Sequence, residues 1–137
     1  MPIDLPALTR DALHHAGIDP GLIAELDPHA AIELTFRTVP MIRIETWEDD
    51  LAQLECALED LQGAPAPMCA VQLLEIMREE APWSYTRGVC LLELEERWFL
   101  HAVVARSHLG APEAFAAAIE GFYTRVEKAC AAVKAGL

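Results

Sequence analysis

The chain has 137 residues, and its 10 Lys and Arg against 22 Asp and Glu give a formal net charge of −12. That balance repels polyanions and removes the electrostatic basis of nucleic-acid binding, and it argues equally against anionic membrane surfaces. Hydrophobic residues make up 53% of the chain, yet no run approaches the roughly 20 apolar residues of a membrane span, so one domain over residues 1–137 without membrane insertion is expected.

The first residues, Met1-Pro2-Ile3-Asp4, lack the basic and apolar regions of a signal peptide, which points to the cytoplasm. Asp4 can cap a helix over about residues 5–16 in which Leu5, Leu8, Ala12, Leu13 and Ala16 form an apolar stripe, and Gly17 ends it. Asp19-Pro20 then opens a short helical turn with Leu22, Ile23 and Leu26 apolar, and Asp27-Pro28 breaks it.

Residues 30–47 are the organising stretch. Ile32, Leu34 and Phe36 alternate with Glu33, Thr35 and Arg37, and after Pro40 Ile42 and Ile44 alternate with Arg43 and Glu45. A period of two with β-branched enrichment and an intervening turn reads as paired antiparallel strands, half wet and needing helices to cover the apolar face. Residues 51–61 fit two templates: Leu51, Leu54, Leu58 and Leu61 have helical spacing, whereas Ala52, Leu54, Cys56 and Leu58 alternate as in a strand.

Pro67 suits the first turn of a second helix, with Ala70, Leu73, Leu74, Met77 and Ala81 inward and Pro82 as its stop. Residues 88–106 read as a hairpin: Cys90, Leu92 and Leu94 alternate, Glu95-Glu96-Arg97 reverses the chain, and the second arm is apolar on both faces. Trp98, Leu100, Ala102 and Val104 lie on one side of that arm, with Phe99, Val103 and Ala105 on the other. Such a strand needs cover on both faces, and a second copy of the chain can supply it. A last helix starts at Ala111-Pro112, carries Phe115, Ile119, Phe122, Val126, Ala129 and Val133, and ends at Gly136.

Cys56, Cys69, Cys90 and Cys130 are widely spaced, without CxxC, and are expected to be buried, reduced thiols. The five histidines are scattered, so neither a metal nor a cofactor is expected. An enzyme would have to be built from Cys90 and His101 across the hairpin with Glu93 as orienter, but no phosphate loop, nucleophile elbow or paired-histidine helix accompanies them. A structural or regulatory dimeric adaptor is the alternative reading of the same pattern.

Several local features resemble the type III secretion chaperones of the invasion protein B group. They are Arg10-Asp11-Ala12-Leu13, Gly17, Leu26-Asp27-Pro28-His29-Ala30, Pro40 between two strands, and Phe122-Tyr123-Thr124-Arg125 in the last helix, in order along nearly the whole chain. The resemblance makes residues 51–58 a third strand and implies an α+β sandwich of order αβββαββα, an antiparallel sheet covered by helices in a homodimer. It further implies a multi-cargo chaperone, with no covalent chemistry, that keeps the N-terminal segment of secreted effectors extended and hands it to the secretion machinery, the export ATPase being one candidate contact. A sheet edge and apolar grooves can accept such a segment by strand addition. Leu8, Leu13, Ile32, Leu34, Phe36, Ile42 and Ile44 are the candidate pocket residues, and Trp98, Leu100, Val103, Leu74 and Met77 the candidate dimer contacts.

Overall fold

A computed structural model describes residues 3–18, 31–48 and 50–136. The helical turn expected around residues 19–26 lies outside the described residues. The rest follow the expected order: α1 (Leu5–His15), β1 (Ile32–Leu34), β2 (Ile42–Trp47), β3 (Leu51–Ala57), α2 (Pro67–Arg78), β4 (Cys90–Leu94), β5 (Arg97–Val104) and α3 (Pro112–Ala135). It is an α+β fold.

Local chemistry accounts for the element ends. The Asp4 carboxylate accepts the Ala7 N–H at 3.2 Å and caps α1. Each of the three α-helices among the described residues carries a proline in its first turn, where the missing N–H costs nothing. The β4–β5 reversal is closed by Glu95 and Glu96 at φ +53° and +66°, the left-handed pair that a tight two-residue hairpin requires.

The five strands form one antiparallel sheet in the order β1-β2-β3-β5-β4. Register aligns Ile32 with Ile44, Ile44 with Leu54, and Leu54 with Ala102, so one continuous apolar row crosses four strands. All of these are buried. Helix α3 lies over this face, with α1 and α2 packed against α3, and its expected stripe from Phe115 to Val133 is buried throughout. The 51–57 stretch resolves as a strand because Ala52, Leu54 and Cys56 pair on both sides, with β2 and with β5, and supply the middle of the core.

Two expectations need correction, and the faces of β4 are assigned. In α2 the buried positions are Cys69, Leu73 and Ile76, whereas Leu74 is exposed. The helix carries two apolar stripes, and only packing against α3 decides which is inward. In β4 the alternating set Cys90, Leu92 and Leu94 faces away from the core, and Leu91, opposite Leu100, is the residue that packs inward. Of the thiols, Cys56 and Cys69 are buried and Cys130 half-buried, but Cys90 is exposed on the edge strand. Burial pushes the Cys56 thiol up to about 12 and raises Cys130 as well.

Candidate functional site

An apolar groove of about 340 Å³ lies between α1 and α3. Its volume lies at the low end of the range for ligand pockets, about 300–1,000 Å³. The C-terminal turn of α1 builds one wall with Ala12, Leu13 and Ala16. Gly17, at φ +79°, ends the helix: its N–H donates to His14 O at 3.0 Å and the Ile18 N–H reaches back to Leu13 O at 2.8 Å. This is a Schellman closure, which brings the residues five apart into register, so that Ile18 and Leu13 line the same groove.

The opposite wall is α3, where Ala116, Ile119, Glu120 and Tyr123 recur at helical spacing. Phe36, just beyond β1, closes one end. Its ring sits 5.0 Å from that of Tyr123, and the Tyr123 hydroxyl and Thr38 hydroxyl share a 3.1 Å hydrogen bond. These two contacts fasten the segment after the edge strand to α3. The space itself comes from small residues: with Ala12, Ala16 and Ala116 facing one another, helices that would otherwise fill the gap leave it open.

The sequence-derived pocket residues separate into two groups. Leu13 and Phe36 line the groove; Leu8 and Leu34 are half-buried against the core. Ile32, Ile42 and Ile44 do not line it, because they occupy inward positions of β1 and β2 beneath the helices and are essentially inaccessible. Strand periodicity selects their face correctly but carries no information about whether helices cover it. Ile18, Ile119, Glu120 and Tyr123 escaped sequence reasoning; the Schellman glycine was the one available pointer to Ile18.

A second apolar surface lies on α2, where Met68, Val71 and Leu74 are 70%, 56% and 62% exposed. A third is the outer sheet face, with Leu92, Phe99 and Val103 half-buried on paired strands. Among the dimer candidates, Leu74 belongs to the α2 surface and Val103 to the outer sheet face. Leu100 is fully buried within the protomer core, directly under α3's side of β5, and is not available to a partner. Met77 and Trp98 pack against the core, and the Trp98 indole N–H donates to Gly63 O at 2.8 Å, anchoring the link into α2.

The enzyme alternative is not assembled. Cys90 pairs with His101 across the hairpin, but Glu93 pairs with Trp98 on the opposite face. The His101 Nε2 instead bonds Gln53 Oε1 at 2.7 Å, its ring meets Trp47 edge-on at 5.8 Å, and burial holds its pKa below the ordinary value. No cluster of metal-ligating side chains occurs among the described residues, and no helix there is long and apolar enough to cross a membrane.

Residues 17–95 match the family described as Invasion protein B. The chain is 31% identical over 129 residues to the "Surface presentation of antigens protein SpaK" of Salmonella typhimurium strain LT2, covering 91% of this chain and 92% of the relative. The protein of that name from Salmonella typhi matches to the same extent. Among solved structures, a chain of the heterodimeric complex ExoU–SpcU from the type III secretion system of Pseudomonas aeruginosa superposes with a TM-score of 0.59 at 19% identity, covering 92% of this chain and 94% of that one.

Proposed function

The chain belongs to the invasion protein B family of type III secretion chaperones, and from that premise we propose that it binds the N-terminal segment of secreted effectors in the cytoplasm, keeps it extended and delivers it for export. Chaperones of this family are not enzymes. The observation that carries the reading is the groove between α1 and α3, whose lining reaches Phe36 near the edge strand β1. Phe36 stands two residues past the end of β1, and β1 is a terminal strand of the sheet with one partner among the described residues. An extended segment can add to such an edge through backbone hydrogen bonds while its alternate side chains enter the groove. SpcU, of similar fold, is solved in a complex with ExoU, the kind of pairing this reading requires. Delivery calls for a contact with the export machinery, and the export ATPase is the candidate.

Apolar burial, at roughly 25 cal/mol per Å², supplies most of the affinity in this mode. Titration of an effector N-terminal peptide by calorimetry is therefore expected to give a large negative heat-capacity change and binding that survives high salt. Ile18 is 51% exposed on the groove rim, so Ile18→Asp is expected to weaken binding about tenfold or more by placing a charge in the apolar contact, with an unchanged circular dichroism spectrum. Binding that vanished at high salt with no heat-capacity change would overturn the reading.

The same protein is proposed to act as a homodimer, with the exposed stripe Met68-Val71-Leu74 on α2 and the half-buried outer residues of β4 and β5 as the surfaces a second copy covers. Light scattering is expected to return twice the protomer mass for the wild type and the protomer mass for Leu74→Glu, which changes an exposed position and leaves the fold intact. A monomeric wild type at micromolar concentration would remove this part of the proposal.

A further inference from the structure

We infer that the groove between α1 and α3 selects segments in which apolar anchors are followed by a lysine or arginine, with Glu120 reading the positive charge. The inference rests on the cargo-holding reading and deepens it. Among the described residues, every other side chain lining the groove is apolar except Tyr123, whose hydroxyl is already engaged by Thr38. Glu120 is the single charged residue there among the described residues, and the helix fixes its place: Ala116 lies one turn before it and Tyr123 one turn after, both on the same wall. Glu120 therefore rises from the groove face of α3 rather than from its far side, at an edge exposed to solvent.

The chain's own cations do not come to it. Among the described residues Glu120 forms no ion pair, while seven of the ten Lys and Arg side chains are held by carboxylates elsewhere, from Arg10 with Asp11 to Lys128 with Glu79. Position 120 of a groove that needed only apolar burial would be served by another Ala or Ile. A negative charge at the edge of such a wall suits a side chain with an apolar stem and a cationic tip, which lays its methylenes along Ile119 and Ala116 and brings its charge to the carboxylate. The neighbouring apolar surface lowers the local dielectric and strengthens the pair relative to one in open water. The net charge of −12 favours approach of the same kind of segment.

The test uses two short synthetic peptides of alternating Leu and Ser that differ only in carrying Lys or Gln directly after the last Leu, titrated into the wild type, Glu120→Gln and Glu120→Lys at low salt. The wild type is expected to bind the Lys peptide about two- to fivefold more tightly than the Gln peptide, the range of a partly exposed ion pair. The preference is expected to disappear in Glu120→Gln and to reverse in Glu120→Lys, and to shrink as salt is raised. Equal affinity of the two peptides for the wild type, with both bound, overturns the role of Glu120 and leaves the cargo reading in place. If neither peptide binds, the cargo reading of the groove fails and the inference falls with it. A preference that persists in Glu120→Gln assigns the selection to another residue and overturns the inference.

Discussion

Trp83→Ala is expected to lower stability by about 3–5 kcal/mol, and the response of Gly121 to that change is the diagnostic result. Trp83 is buried between α3 and the end of β5: its ring meets Phe122 edge-on at 6.2 Å and 88°, and its carbonyl accepts the Ala105 N–H at 2.8 Å. Gly121 is what lets the ring approach. A Cβ at that position would stand 3.0 Å from both the Cδ1 and Cε2 atoms of the indole and closer still to Nε1. Alanine would otherwise be favoured in the middle of a helix by about 1 kcal/mol. Against rigid, buried ring atoms the overpacking term wins, so Gly121→Ala is expected to destabilise by about 1–3 kcal/mol. In the Trp83→Ala background the obstruction is gone, and the same glycine substitution is expected to become neutral or stabilising. Urea unfolding of the four proteins in this cycle measures that reversal of sign. Additive effects would mean that Trp83 and Gly121 do not pack as described.

Arg125→Leu is the second large effect, with an expected loss of about 2–4 kcal/mol. Arg125 is only 8% exposed, and its guanidinium donates to Glu79 O at 3.1 Å and to Glu80 O at 2.8 Å, with the Glu79 carboxylate 3.3 Å away. These carbonyls belong to the C-cap residue of α2 and the residue after it, just past the helix end, where the backbone dipole favours a cation. The side chain thus ties α3 to the end of α2. Lys128 completes the cluster by bonding both Glu79 carboxylate oxygens at 2.9 and 3.0 Å. Leucine fills comparable space but leaves the carbonyls unmet. Arg125→Lys keeps the charge without the planar fork and is expected to recover about half of the loss. Thermal unfolding of both variants checks this order, and a lysine variant as unstable as the leucine variant would show that charge contributes nothing. The Lys128 hydrogen bond, with help from Arg125's charge, holds the Glu79 carboxyl below its usual value of 4.5. Because the folded pKa is the lower one, this contribution is present above the ordinary carboxylate range and is lost as pH falls through the folded value. Glu79 is largely in water, so the acid-side loss is small beside the packing of Arg125.

Much of this architecture is written locally in the chain. Asp4 and Gly17 bound α1, the two-residue period pairs Ile32 with Ile44, and the four-and-three spacing from Phe115 to Val133 identifies the inward face of α3. These features are legible because caps, turns and periodicity act over a few residues. The 51–57 stretch was not settled by periodicity, since Leu54 and Leu58 satisfy both templates. Pairing with β2 on one side and β5 on the other makes it a strand, through hydrogen bonds to residues about 10 and 50 positions away in the chain. Tertiary structure alone also decided that Ile76 is buried and Leu74 exposed on the same helix, and that Ile42 and Ile44 are core while Leu13 and Phe36 face a groove. Periodicity tells which side chains share a face, but not which face another element will cover. The groove is the extreme case, for it consists of volume that Ala12, Ala16 and Ala116 fail to fill between helices a hundred residues apart in the chain, and Glu120 acquires its place in that space only once α1 and α3 have packed.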